Sequence, residues 1–371
     1  GSASWFALNV SGGAPPYRVT YTLDGGANTL SPGYNNGDHI NLGTLGVGNH
    51  TVHIVSIQDA CNNFVPTLPA NYLFSINPIP DASATVNNSN AICSGGATDI
   101  VLQSTVPSTN FTWTVSNAPA VTWTTAPAGG TRNNGNNTSV AQTLAHSSAL
   151  PTTVTYTITP AGPLPTSCPG PAITRTVVVN PSAQVDDPAN QVHCGGDAVP
   201  VLNFSTNRTG GTTTYAWSNN NTAIGLGPSG SGPLPAFTAA NGGTSPITAT
   251  VTVTPTFTNA GQSCTGTPQT FTITVNPSAQ VNDPADQVHC NGAAVPVLNF
   301  GTNRTGGTTT YAWTNSNTAI GLAASGSGPL PAFTSTNSGT SPISATITVT
   351  PTFANGGENC PGTAQTFTIT V

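Results

Sequence analysis

Residues 181–275 and 277–371 are two versions of one sequence, identical at roughly four positions in five and offset by 96. Near-duplicate tandem units confine a chain to architectures in which each unit builds its own small core and meets only its neighbours. A looser relative runs from Pro78 to Asn180, and a more distant unit fills residues 1–77. The sequence therefore divides into four modules, 1–77, 78–180, 181–276 and 277–371, each of a size that holds one core.

Alternation decides what the modules are made of. From Ile247 the chain reads Ile-Thr-Ala-Thr-Val-Thr-Val-Thr, which puts Ile247, Ala249, Val251 and Val253 on one face and threonines on the other. Phe271, Ile273 and Val275 alternate with Thr272 and Thr274 in the same way. Period-two patterning with β-branched residues on both faces is the signature of a half-buried strand. No window carries helical spacing, and glycine pairs such as Gly25-Gly26, Gly210-Gly211 and Gly306-Gly307 separate the apolar runs. Within one repeat the pattern predicts strands near 182–186, 199–205, 212–218, 235–239, 247–257 and 267–275, hence an all-β sandwich, immunoglobulin-like in its plan, repeated in tandem. Trp217, Trp313 and Trp113 stand where such a sandwich puts its central tryptophan. Asn77-Pro78, Asn180-Pro181 and Asn276-Pro277 leave almost no spacer, and proline stiffens the chain on both sides of itself. The expected shape is an elongated rod of about 150 Å, from strands of nine or so residues at about 3.3 Å each plus loops.

Composition narrows the function classes. Only 4% of residues are charged, Lys and Met are absent, and the net charge is -6. There is no basic stripe for nucleic acid and none for anionic lipid. No apolar run is long enough to insert in a membrane as a helix. The missing initiator Met and a stop in mid-motif at Val371 read as a piece of a longer protein.

The later modules carry two cysteines each, at spacings of about 70–75 residues, and Cys61 stands alone in the first. Regular cysteine pairs in a threonine-rich chain point to disulfides and an oxidising, extracellular setting. The simplest pairing lies inside each module: Cys93 with Cys168, Cys194 with Cys264, Cys290 with Cys360. The rival staples neighbours together, Cys93 with Cys264 and Cys194 with Cys360, because the two cysteine turns of a sandwich tend to lie at opposite ends. The partner of Cys61 is expected upstream of Gly1. His193 beside Cys194, and His289 beside Cys290, point to opposite faces of a strand and do not chelate one ion.

The modules from Pro78 onward resemble the PKD-like, immunoglobulin-related repeats of Bacteroidetes surface proteins. The residues that carry the resemblance are Cys93-Ser-Gly, Cys194-Gly-Gly and Cys290-Asn-Gly, together with a second Cys-x-Gly before a Thr-rich final strand ending in Val-Asn-Pro. The first module is similar to the repeat of SprB-type gliding adhesins in Gly12-Gly13-Ala14-Pro15-Pro16-Tyr17, Gly48-Asn49-His50-Thr51-Val52 and Asp59-Ala60-Cys61. The Trp-Asp-Phe-Gly-Asp-Gly signature of standard PKD domains is missing. What the resemblance implies is type IX secretion, display on the cell surface and an adhesin or filament role in gliding motility.

No constellation of catalytic groups is evident. Ten Asp and one Glu are spread over four modules, and general acid–base chemistry needs such groups converging. Asp186, Asp187, Asp283 and Asp286 sit beside module junctions, where oxygen ligands would suit Ca²⁺, the one metal cofactor the sequence leaves open. The Gly/Ser run at 227–232 holds no nucleophile elbow and reads as a loop. The expected function is non-enzymatic: rigid repeats that mediate attachment or extend a binding tip, through contacts with neighbouring repeats, surface polysaccharide or an abiotic surface. The rivals are passive spacers of a larger secreted hydrolase or lectin, and a subunit that polymerises into a fibre.

Overall fold

The structure is a computed structural model describing residues 3–64, 70–87, 90–116, 118–123, 129–132, 137–163 and 167–371. The alternating run from Ile247 forms the strand Ile247–Asn259, the spine of its unit. Ala249, Val251, Val253 and Phe257 are fully buried while the intervening threonines face outward, so the period-two pattern sets the face. Gln269–Asn276 pairs antiparallel with it (Ile247 opposite Val275), as does Thr212–Asn219 on the other side (Trp217 opposite Val253). Ser229–Ser231 extends one edge, and Gln191–Cys194 adds to the other edge in parallel with Gln269–Asn276. The hairpin partner Gln262–Thr265 covers the far end of the spine. A short second layer, Ala198–Val199 paired with Phe237–Thr238 and extended by a Leu202–Leu234 bridge, closes over a core of Val199, Trp217, Ile224, Leu234, Val251 and Phe271. The last repeat has the same strand order around the same core.

The preceding unit keeps the plan with a larger second layer. Its five-stranded sheet runs Gly129–Arg132, Asn110–Val115, Thr152–Ala161, Ile173–Asn180, Ala91–Cys93, faced by two three-stranded sheets around Phe111, Trp113 and Tyr156. In the first unit Thr29–Tyr34, Tyr17–Leu23, Gly48–Gln58 and Asn71–Ile76 form one sheet, Ser4–Phe6 and Ile40–Gly43 pair separately, and Tyr17, Val19, Tyr21 and Ile54 fill the core. The accessible surface of 18449 Å² exceeds the roughly 14,000 Å² expected of one compact globule of this mass. The excess is what separate cores in file produce.

Three expectations about elements are corrected. Residues 182–186 are not a strand: Ala183 and Val185 are buried in alternation, but the segment lies between Pro181 and Pro188 and joins no ladder. Its backbone reaches across at two points, where the Asp186 amide donates to the Ser205 carbonyl and the Ser182 carbonyl accepts from Arg208 Nε. The first strand is instead Gln191–Cys194, hidden from patterning because its neighbour supplies the apolar side. Residues 199–205 form a strand only over Ala198–Val199, with Leu202 in an isolated bridge. Residues 229–231, read as loop, are an edge strand.

That edge strand explains its glycines. Gly230 lies opposite Trp217 in register, and a Cβ built there would stand 2.4 Å from the indole. Gly326 faces Trp313 and Gly130 faces Trp113 in the same way. The three tryptophans, 3–6% exposed, are central to their cores and are covered by a bare backbone. Trp217→Ala is expected to cost about 3–5 kcal/mol, the range for emptying a buried aromatic site. Chemical denaturation should then show the third unit unfolding before the others; an unmoved midpoint would refute the packing role.

Candidate functional site

The joints between units are where the repeat residues converge. Cys93 ends its strand opposite Asn180, and Cys194 ends its strand opposite Asn276, so each first cysteine sits at the outgoing end of its unit. Cys264 pairs across from Phe257 at the other end of the spine strand. Between Ile247 and Phe257 lie ten residue steps, about 34 Å of extended chain, against the roughly 5.5 Å a disulfide spans. The two cysteines of one unit therefore cannot meet. The pairing inside modules (Cys93–Cys168, Cys194–Cys264, Cys290–Cys360) is corrected accordingly. The structure bonds Cys93 to Cys264 and Cys194 to Cys360, with Cα atoms 5.5 and 5.4 Å apart. Cys61, Cys168 and Cys290 are free thiols.

Beside each disulfide the asparagine of the Asn-Pro junction reaches into the next unit. Asn180 Nδ2 donates to the Asn259 carbonyl (3.0 Å), and Asn259 Nδ2 donates back to Asn180 Oδ1 (2.9 Å). Asn276 and Asn355 repeat the exchange at 3.0 and 2.8 Å. Asn180 and Asn276 are fully buried, where an unpaired amide would be costly. Cys194, Cys360, Ala279 and Phe353 form a small apolar cluster of their own at the last joint.

At these two joints the other flank of the spine strand is held by backbone. The Thr209 amide donates to the Ala149 carbonyl at 3.2 Å, and the Thr305 amide to the Thr244 carbonyl at 3.0 Å. Arg304 adds a guanidinium bond to the Gly243 carbonyl at 3.1 Å, while its Nε holds the Ser278 carbonyl at 2.8 Å. Two clasps on the two flanks oppose bending about either one.

The second Cys-x-Gly motif acquires a reason here. A Cβ on Gly266 would lie 1.9 Å from the Ala183 carbonyl oxygen, on Gly362 2.0 Å from that of Ala279, and on Gly170 1.8 Å from that of Pro80. In each case the segment leaving the Asn-Pro junction lies directly on the glycine. The sequence displayed these glycines, but the approaching carbonyl comes from a residue about 80–90 positions upstream, beyond any local pattern. The Asn–Asn exchange was equally hidden, although its constant separation of 79 residues in both joints is a signal that repeat alignment carries.

Two of the four junction acids are occupied. Asp186 accepts from Ser205 Oγ (2.6 Å) and Gln184 Nε2 (2.9 Å), and these bonds, Ser205 first, hold its carboxyl below the usual range. Asp286 accepts from the Thr368 amide at 2.7 Å, which lowers it likewise. Asp187 and Asp283 are exposed. Among the described residues no three His, Cys, Asp or Glu converge as a metal site, so these four carboxylates are not brought together as Ca²⁺ ligands. His193 Nε2 sits 3.0 Å from Gln191 Oε1, within its own strand.

Residues 90–183 match the model of the PKD-like domain. No curated protein matches the chain. Among solved structures it is similar to protocadherin gamma B2 extracellular cadherin domains 3–6 (11% identity, 95% of this chain and 91% of that one, TM-score 0.24). Sidekick-1 immunoglobulin domains 1–4 (11%, 100% and 99%, 0.23) and Drosophila N-cadherin EC1–4 (10%, 98% and 93%, 0.30) are similar to the same degree. The chain is an all-β tandem array of immunoglobulin-like β-sandwich units forming an elongated rod, and the match to the PKD-like domain covers residues 90–183 of it.

Proposed function

We propose that the chain is a non-enzymatic stalk or adhesive filament segment of a secreted surface protein, divided into modules at 1–77, 78–180, 181–276 and 277–371. The observation that carries this reading is the double clasp at two successive joints, a covalent and amide contact on one flank and a backbone contact on the other. An array whose parts served independent binding tasks has no need of fixed joints; one that must hold a tip at a distance does. Disulfides support an extracellular location. Display through type IX secretion and a gliding role of the SprB kind remain part of the proposal and rest on the resemblance of the first and later modules to those repeats. Attachment by contact between copies belongs with it, since many weak contacts acting together lengthen residence.

Negative-stain imaging of the oxidised chain tests the mechanical claim. Straight rods of about 150 Å, with narrow angle distributions at the last two joints, are expected. Beads with freely varying angles there would overturn the stalk reading.

A further inference from the structure

Two clefts recur at the same place in the last two units, outside the joints. One, of about 390 Å³, lies between Phe204, Tyr215 and Pro233; its counterpart, of about 400 Å³, lies between Phe300, Tyr311 and Pro329. Each falls within the size range of small-ligand sites. The two aromatic rings are tilted against one another at 5.5 Å between centroids, by 57° in one unit and 55° in the other. Both rings are half-buried against the core, which fixes their orientation.

The rest of the lining is neutral and hydrogen-bonding. Asn203, Thr213, Thr214 and Ser231 surround the first pair of rings, and the second cleft carries the same residue types at every position. No charged side chain lines either cleft. Hydroxyl and amide groups both donate and accept, so this lining suits a ligand that also does both. An anion is poorly served: nothing positive lines the site, and burial and then the charge of Asp186 push the Tyr215 phenol upward.

We propose that the clefts at Phe204/Tyr215 and Phe300/Tyr311 bind neutral polysaccharide, the apolar face of one sugar ring lying on the aromatic pair while its hydroxyls meet the Asn, Thr and Ser rim. The inference deepens the adhesive reading and rests on it. A short apolar peptide is the competing ligand, but it would leave the hydroxyl and amide rim unpaired. The preceding unit provides an internal contrast, because its open cleft is lined by Asp81, Ser83, Gln103, Ser104, Thr105 and Asn137, with no ring. Two like sites one repeat apart favour a long chain over a single sugar, since the second contact forms at high effective concentration.

The test is affinity electrophoresis of the full chain through gels containing mannan, laminarin, dextran or hydroxyethyl cellulose, with alginate as an acidic control and gelatin as a peptide control. At least one neutral polymer should retard the chain, to the same extent at low and high salt, and alginate should not. Tyr215→Ala with Tyr311→Ala should abolish retardation. Asn203→Ala with Asn299→Ala, at exposed rim positions that leave the core intact, should do the same, and either unit altered alone should weaken binding about tenfold or more. Retardation by none of the neutral polymers, by gelatin alone, or undiminished in the Asn variant would overturn the assignment. None of these results would alter the straightness of the rods, so failure here is distinguishable from failure of the stalk reading.

Discussion

Gly266→Ala is expected to lower the melting temperature of the third unit by about 10–25 °C, taking an overpacking cost of roughly 3 kcal/mol in a domain of this size. The new methyl would lie 1.9 Å from the Ala183 carbonyl oxygen and 2.5 Å from its carbon. Both belong to backbone, so no rotamer change relieves the clash. The segment cannot withdraw either, because Val185 two residues on is buried in the core and Arg208 holds the Ser182 carbonyl at 2.9 Å. Either the entry segment lifts from the sandwich or the hairpin Gln262–Thr265 moves, and the hairpin carries the staple to Cys93. The matched control is Gly227→Ala, with nothing within 4 Å of the added carbon; the sibling repeat already carries Ala323 there. It should change stability by less than about 0.5 kcal/mol. Calorimetry decides: equal shifts for the two variants, or a shift under about 4 °C at Gly266, would remove the close-approach account of the Cys-x-Gly motif.

The parts of this architecture that were legible in the sequence are those governed by short-range rules. Period-two alternation located Thr212–Asn219, Ile247–Asn259 and Gln269–Asn276 to within two residues, because each packs one face on a core of its own unit. Trp217 and Trp313 followed from the same strands. The misread elements are those whose burial comes from elsewhere. Ala183 and Val185 alternate like a strand, yet two prolines and the carbonyl contacts to Arg208 and Gly266 replace the ladder. Gln191–Cys194 lacks an apolar pattern because it is a parallel edge addition, held by backbone. The joints were visible as Asn-Pro dipeptides and paired cysteines, but which cysteine meets which depends on the length of the spine strand, a property of the folded unit. The aromatic clefts were missed because Phe204, outside any strand, and Tyr215, within one, come from different layers and each reads locally as an ordinary core residue.

Reduction of the two staples is expected to invert the order in which the last three units melt. The third unit contributes one cysteine to each bond, Cys264 backward and Cys194 forward. If it unfolds while its neighbours stay folded, its chain remains pinned at both cysteines, 70 positions apart, in addition to its two ends. Pinning a loop of that length restricts the unfolded state by about 4 kcal/mol in the chain-entropy model. For a unit of this size that is about 15–30 °C in melting temperature. The oxidised third unit should therefore be the last to melt and the reduced one should fall to or below its near-identical neighbour, which is pinned once. Cys93→Ser with Cys264→Ser should produce about half the effect, and Cys168→Ser with Cys290→Ser none, since those thiols are free. The connectivity beneath this prediction can be read directly. Trypsin has only the five arginines to cut at, Arg18, Arg132, Arg175, Arg208 and Arg304, and they separate the bonded cysteines onto different peptides. Without reductant, peptide 19–132 should travel with 209–304, and 176–208 with 305–371. Bonds inside units would instead join 19–132 to 133–175, 176–208 to 209–304 and 209–304 to 305–371, and recovery of that set would sever the link between repeat geometry and a fixed rod.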